Sequence, residues 1–187
     1  MGDPVVRVCE TVEVAQDRTL LSPAERQRWQ RLVDTADRAA YLAAHVLVRT
    51  VAAELGGLRA GDIVLTHLCP TCGGTDHGQP VVEGRPDLHV SLSHIRGTVA
   101  AIAAHAPCGI DVEAMRSSVP DSALTDAELA WAGRDPLRRT RLWTRKEAWA
   151  KAAGHTLDRV AAEDVVDPPW LSGETHTDRY AAAWVVL

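Results

Sequence analysis

The stretch Gly109-Ile110-Asp111-Val112-Glu113 places two carboxylates one residue apart, directly after an apolar segment. In a β-strand, side chains two positions apart point to the same face, so Asp111 and Glu113 are predicted to lie close together. Two unpaired carboxylates at that spacing repel each other, and each raises the pKa of the other. A hard cation such as Mg²⁺ removes this cost and leaves room for phosphate oxygens. Taken alone, the stretch favours an exposed strand end that carries two solvated acids.

A second charged stretch, Trp143 to Lys151, lies inside the segment 136–153, which is predicted to be a helix that ends at Gly154. Glu147 and Lys151 are four residues apart and therefore share a helix face, with Lys146 beside them. An ordinary solvated Glu–Lys pair explains this pattern. The same residues would also give the two strand acids a third carboxylate, flanked by lysines that bind phosphate.

The composition excludes several classes of protein. The chain has 187 residues, of which 46% are hydrophobic and 24% charged, and this suits one large or two small globular domains. A net charge of −5 lacks the basic field of a nucleic-acid binder. The first residues do not resemble a signal peptide, and no run reaches the roughly 18 apolar residues that cross a bilayer. With only four cysteines, no disulfide framework is expected, so we predict a cytoplasmic protein.

The hydrophobic pattern predicts an α+β fold. Ser22, Pro23 and Glu25 are typical of a capping box that begins a helical segment over 23–56, with a break near Asp34-Thr35 and an end at Gly56-Gly57. A further helix is predicted over 121–131, beginning at Asp121 or Thr125. Strands are predicted at 4–14, within 58–68, at 89–94, 98–105, 109–114 and 179–186. The order indicates two similar halves that join near Pro107.

Taken together, G-I-D-V-E and W-T-R-K-E-A-W-A-K-A-x-G resemble the two signature motifs of the 4′-phosphopantetheinyl transferases. The resemblance is strongest to the surfactin-synthetase-activating type, which is monomeric and has two similar halves. It extends to Ser22–Arg26, to Asp37-Arg38, to the turn His77-Gly78-Gln79-Pro80 and to the strand Val90–His94.

This resemblance implies a pseudo-dimer of two similar α/β halves, each a small antiparallel sheet packed on helices, with the active site in the cleft between them. The halves would span 1–106 and 107–187. It implies an enzyme that moves phosphopantetheine from coenzyme A to a serine of an acyl- or peptidyl-carrier protein, with Mg²⁺. Charge and hydropathy predict no nucleic-acid or membrane partner. The alternative function is a coenzyme-A-binding relative without transferase activity that serves as a binding or adaptor module.

The resemblance also assigns roles to residues. Asp111, Glu113 and Glu147 would hold Mg²⁺. Glu147 would accept the proton of the carrier serine, directly or through water, and Lys151 would neutralise the leaving adenosine 3′,5′-bisphosphate. Contacts to the phosphates of coenzyme A are assigned to Lys146, Lys151, His94 and Arg38, with Ser93 in support and Arg28 as a further contact.

Other patterns leave alternatives open. Gln79 stands where the family usually has a phosphate-binding lysine, so coenzyme A would lose one charged contact. Cys69 and Cys72 form a knuckle that zinc could bind with His67 and His77, but a reduced turn is favoured because a second knuckle is missing. The remaining histidines have no partner that spacing identifies, and they are interpreted as structural or surface residues: His45, His89, His105, His155 and His176.

Overall fold

The computed structural model describes residues 2–68, 73–74, 78–115 and 119–187, and of residues 157 and 158 it describes the backbone only. Cys69, Cys72 and His77, the alternative zinc ligands, lie outside the described residues. Within these ranges the strands are β1 Val5–Glu10, β2 Leu65–Leu68, β3 Gln79–Val82, β4 His89–Ile95, β5 Thr98–Ala104, β6 Cys108–Ala114, β7 Leu171–His176 and β8 Tyr180–Val186. The helices are α1 Pro23–Arg31, α2 Thr35–Gly56, α3 Asp126–Ala132, α4 Pro136–Ala153 and α5 Leu157–Ala161.

The strands form two antiparallel sheets packed against helices, so the predicted α+β fold is confirmed. One sheet has the order β1-β5-β4-β3-β2, and the other has the order β6-β8-β7. The first sheet ends at Ala104 and the second begins at Cys108, on either side of the predicted junction near Pro107. That 1–106 and 107–187 are separate domains remains a prediction.

The first two helices begin and end where the sequence predicted. Ser22 and Glu25 exchange side-chain and backbone hydrogen bonds in a complete capping box at the start of α1. The helix ends at Arg31 with Leu32 as its C-cap, and the Asp34 carboxylate then accepts the backbone N–H groups that begin α2. Gly57 closes α2 in the left-handed conformation, with φ of 63°. The predicted break near Asp34 is therefore confirmed.

Strand β5 packs against both α2 and the second sheet. All seven of its residues are buried, and the six that follow Thr98 alternate between two hydrophobic clusters. Val99, Ala101 and Ala103 pack into the cluster under α2, whereas Ala100, Ile102 and Ala104 pack against β6 and β8 of the second sheet. Because a strand presents alternate residues to opposite faces, one uninterrupted apolar strand serves both cores.

Helix α4 lies directly on the second sheet. Asp135 caps its start, Pro136 occupies the first turn, and Gly154 ends it with φ of 67°. The approach to β6 requires glycine at position 109, because a Cβ there would overlap the carbonyl oxygen of Ala148 and the backbone nitrogen of Ala152. This contact fixes which turn of α4 faces which residue of β6.

The structure differs from the predictions in the C-terminal half. Asp121–Ala123 forms a 3₁₀ turn, and α3 begins only after Thr125, whose hydroxyl accepts the N–H of Glu128. Neither α5 nor β7 was predicted. Strand β7 is short and polar, and it contains an irregularity between Leu171 and Gly173 that breaks the alternating pattern. In the described part of the chain, no helix is both long and apolar enough to cross a membrane.

Candidate active site

The two carboxylates of β6 lie on the strand face that packs against α4. Asp111 is buried, and its Oδ1 accepts hydrogen bonds from the Ser93 hydroxyl at 2.8 Å and the Lys151 ammonium at 2.6 Å. Two residues further, Glu113 accepts a hydrogen bond from the indole N–H of Trp143 at 3.2 Å. Since Lys151 and Trp143 both belong to α4, the two acids share one face, as the alternation of a strand requires.

Glu147 lies between these contacts on α4, four residues after Trp143 and four before Lys151. Its side chain is partly buried, and its pKa is raised to about 7. Burial is the main cause, the charges of Asp111 and Glu113 add to it, and the Lys151 ammonium opposes them. Both acids of β6 therefore act on Glu147, and the structure brings the three acids into one region.

One oxygen in this region is unsatisfied. Asp111 Oδ2 is buried and has no hydrogen-bond partner, a situation that costs free energy unless a ligand or cation completes it. Among the described residues, however, no three His, Cys, Asp or Glu side chains form a group that could hold a metal ion. Mg²⁺ commonly binds through one or two carboxylates, with water and substrate phosphates supplying the remaining oxygens. The donor set fits a cation of that kind.

Lys151 connects the acids to the end of α4. Its ammonium also donates to the Ile110 carbonyl at 3.2 Å. Its own backbone carbonyl, which has no partner within the helix, accepts a hydrogen bond from the Gln79 side chain on β3. Gln79, at the position where the family usually has lysine, thus joins the first sheet to α4.

Lys146 does not lie in this site, and its assignment to coenzyme A phosphates is corrected. Its side chain is fully buried, with the ammonium 2.8 Å from a Glu128 carboxylate oxygen. It also donates to the carbonyls of Ala161 and Glu163, each at 2.9 Å. Lys146 follows Leu142 by four residues and therefore shares its core-facing side of α4, which turns the ammonium away from β6.

Arg38 is also held elsewhere, and its assignment is likewise corrected. Its guanidinium donates to the carbonyls of Leu32 and Gln30, at 2.5 and 3.3 Å, and lies 5.7 Å from the centre of the Trp29 ring. These contacts satisfy carbonyls at the end of α1. Arg38 is absent from the described lining of the cavity that adjoins the acids.

That cavity has a volume of about 690 Å³ and lies between the first sheet and the end of α4. The predicted contacts Arg28, Ser93, His94 and Lys151 line it. Its described lining contains no aspartate or glutamate, whereas Pro80, Val81, Leu88, Val90 and Leu92 make part of the wall apolar. The cavity therefore suits an anionic ligand that also has an apolar portion.

His94 lies within this basic surface. Its ring meets Tyr41 edge to face, with the ring centres 6.1 Å apart. The residue as a whole is exposed, but the surrounding cavity wall desolvates its imidazole and lowers the pKa of His94, and the charges of His45 and Lys151 lower it further. An anionic ligand in the cavity would reverse the effect of those charges.

Sequence reasoning missed several lining residues: Tyr41, His45 and His89, which had been given no role or a structural one. One signal was available. Tyr41, His45 and Arg49 follow each other at four-residue spacing along α2, so three polar side chains lie on one face of an otherwise apolar helix. Such a row inside a core helix needs partners, and the structure supplies them.

Comparisons with known proteins agree with this site. Residues 107–185, which hold both motifs, match the family model of the 4′-phosphopantetheinyl transferase superfamily. A curated 4′-phosphopantetheinyl transferase of Bacillus subtilis is 28% identical over 152 residues, which cover 76% of this chain and 65% of that protein. The alignment thus spans slightly less than two thirds of the relative's length. The region that carries the acids, Glu147 and Lys151 is thus similar to the 4′-phosphopantetheinyl transferase superfamily, which confirms the resemblance predicted from the sequence.

Proposed function

We propose that this chain transfers the 4′-phosphopantetheine group of coenzyme A to a serine of an acyl- or peptidyl-carrier protein. The observation that carries the proposal is Asp111, which is buried on the α4 face of β6, with one oxygen held by Ser93 and Lys151 and the other unsatisfied. Such a carboxylate is suited to a cation that also binds a diphosphate. The adjoining cavity, basic and partly apolar, has room for the nucleotide and its pantetheine arm.

The reaction forms a bond between the serine oxygen and the phosphorus that carries pantetheine, and breaks the bond from that phosphorus to the diphosphate bridging oxygen. Adenosine 3′,5′-bisphosphate leaves. Glu147 would take the serine proton, directly or through water, because burial raises the pKa of its carboxylate and makes it more basic than an exposed one. Lys151 would stabilise the charge that develops on the leaving group.

In this scheme Asp111, Glu113 and Glu147 would hold Mg²⁺ together with oxygens of the diphosphate, since the acids alone form no metal-holding group among the described residues. A bound Mg²⁺ would neutralise the phosphoryl oxygens and relieve the repulsion among the three acids. Ser93 keeps Asp111 oriented through the hydrogen bond to Oδ1. Trp143 does the same for Glu113 from the α4 side.

Intact-protein mass spectrometry tests the proposal. The wild-type chain, incubated with coenzyme A, Mg²⁺ and a panel of apo acyl- and peptidyl-carrier proteins, is expected to add one phosphopantetheine to the serine of at least one carrier. Glu147→Gln should slow the transfer by about 100-fold or more, because a positioned general base contributes that much.

Glu54→Gln is the matched control. Glu54 is half exposed in an ion pair with Arg7, 3.0 Å away, so its substitution should leave the rate unchanged. Binding of coenzyme A without modification of any carrier would support the adaptor alternative instead. A Glu147→Gln variant as fast as wild type would contradict the role given to Glu147.

A further inference from the structure

Strand β6 lies at the edge of the second sheet, with β8 on one side of it. At either end of the strand, Pro107 and Met115 form backbone hydrogen bonds with the residues that flank β8. Because bonded positions alternate along an antiparallel pair, the odd-numbered residues of β6 direct their backbone groups towards β8. The N–H and carbonyl of Ile110 therefore point away from β8 and need partners outside the sheet.

Ser91 of β4 supplies one of these partners. Its hydroxyl oxygen accepts the Ile110 N–H at 3.2 Å, and the residue is only 4% exposed. Ser93 is two positions further and therefore lies on the same face of β4, where its hydroxyl donates to Asp111 Oδ1 at 2.8 Å. Two hydroxyls of the first sheet thus contact consecutive residues of the second sheet.

These two hydroxyls differ from their neighbours on the same face of the first sheet. Ser91 and Ser93 are paired across the sheet with Ile102 and Ala100 of β5. Those β5 residues pack apolar side chains against the second sheet. Apolar contact is therefore enough to join the two sheets along β5, and the polar pair lies where β4 meets the strand that carries the acids.

The Ile110 carbonyl connects this contact to the proposed chemistry. It accepts a hydrogen bond from the Lys151 ammonium at 3.2 Å, and the same ammonium donates to Asp111 Oδ1 at 2.6 Å. An ammonium has three N–H donors, so two directed bonds fix the direction of the third. Ser91 holds the strand at Ile110, and a rotation of the backbone there would turn the carbonyl away from Lys151.

We propose that Ser91 is a positioning residue for the transfer: by accepting the Ile110 N–H it sets the carbonyl that, with Asp111, directs the Lys151 ammonium at the leaving phosphate. The inference rests on the proposed function, because it depends on the role given there to Lys151. A misdirected ammonium costs more in the transition state, where the leaving group gains charge, than in the bound state. Ser91 therefore acts on the rate of the step and not on the binding of coenzyme A.

Steady-state kinetics of carrier modification test this role. Ser91→Ala should lower kcat by about 10-fold, the value of one typical hydrogen bond, while KM for coenzyme A changes by less than about 2-fold. Ser91→Thr keeps the hydroxyl and should retain most of the wild-type kcat. Ser172→Ala is the matched control, since the exposed Ser172 hydroxyl also accepts a strand N–H, that of Val186 at 2.8 Å, in the strand at the other edge of the second sheet. It should leave kcat unchanged.

A second measurement asks whether Ser91 acts through Lys151. In a Lys151→Ala background, Ser91→Ala should lower kcat by less than about 2-fold, because the group that Ser91 positions is gone. An equal fall in kcat in both backgrounds would overturn the inference. An unchanged kcat in folded Ser91→Ala would overturn it as well.

The remaining outcomes separate this inference from the proposed function. A higher KM for coenzyme A at constant kcat would assign Ser91 to ligand binding and overturn the inference, while the transferase proposal would stand. If Ser91→Ala does not fold, Ser91→Cys takes its place, because a thiol has a similar shape but is only a weak acceptor; its kcat should fall in the same direction, and a wild-type kcat would contradict the inference. A wild-type chain that modifies no carrier would overturn both proposals.

Discussion

Lys146 and Glu147 are neighbours in the sequence but belong to different parts of the structure. Lys146 is fully buried against Glu128, whereas Glu147 lies on the side of α4 that meets β6. A rotation of about 100° per residue separates the two side chains, so one motif serves both the core and the site. In this chain, the motif lysine stabilises the fold and the motif glutamate is available for chemistry.

Substitution of Lys146 tests this division. Lys146→Met leaves the Glu128 carboxylate buried without its cation, so the free energy of unfolding should fall by about 3–5 kcal/mol in urea denaturation. The double variant Lys146→Met/Glu128→Leu should recover most of that loss, because no charge then remains buried. If Lys146→Met had normal stability but bound coenzyme A more weakly, Lys146 would contact a phosphate after all, and our correction would be wrong.

At the scale of elements, the position of α4 over β6 decides where Lys151 meets Asp111. The two elements approach so closely at Gly109 that a methyl group has no space. Lys151 and the backbone of Ala148 and Ala152 all lie around that point. The glycine of the first motif is therefore a packing requirement that aligns the two motifs.

Gly109→Ala should accordingly lower both stability and transfer activity. Overpacking of this kind costs about 1–3 kcal/mol or more, and displacement of α4 would separate Lys151 from Asp111. Thermal unfolding and the carrier assay measure the two effects. Gly61→Ala is the control, since its added methyl group would meet only Leu20 at an ordinary 3.9 Å. A fully stable and active Gly109→Ala would show that α4 can shift without consequence.

The link between α1 and α2 predicts a dependence of stability on pH. Glu25 has its pKa lowered from 4.5 to about 2 by His45 and Arg49. A carboxylate with a lowered pKa contributes stability that is full above pH 4.5 and is lost as the pH falls towards 2. The lowering corresponds to about 3 kcal/mol.

Glu25→Gln should therefore be less stable than wild type at pH 6, and the difference should narrow by about 3 kcal/mol between pH 4.5 and 2. Urea denaturation at several pH values measures it. A difference that stays constant over this range would mean that Glu25 does not titrate in that window.

At the scale of the whole molecule, local patterns predicted the elements that have local causes. The caps at Ser22 and Gly154 and the same-face pair on β6 follow from residues a few positions apart. The pairs Lys146–Glu128 and His45–Glu25 join residues 18 and 20 positions apart on different helices, and no periodicity indicates them. The assignments that were corrected or missed concern polar and charged side chains that could lie either in the core or at the cavity wall.

The arrangement of the two sheets also determines what a metal would require. Asp111 and Glu113 come from β6, Glu147 comes from α4, and Ser93 reaches Asp111 from the other sheet. No group of three ligands among the described residues could hold a metal on its own. The central claim is therefore that the acids and the diphosphate of coenzyme A complete one cation site together.

Mn²⁺ binding, followed by electron paramagnetic resonance with and without coenzyme A, tests that claim most directly. We predict that Mn²⁺ binds weakly to the protein alone and at least 10-fold more tightly when coenzyme A is present, on the order expected for one or two added oxygen ligands. In Asp111→Asn, coenzyme A should no longer increase the affinity for Mn²⁺. Asp62→Asn, an exposed residue paired with Arg59, should behave as wild type. Equal Mn²⁺ affinity with and without coenzyme A, or an undiminished gain in Asp111→Asn, would contradict the account.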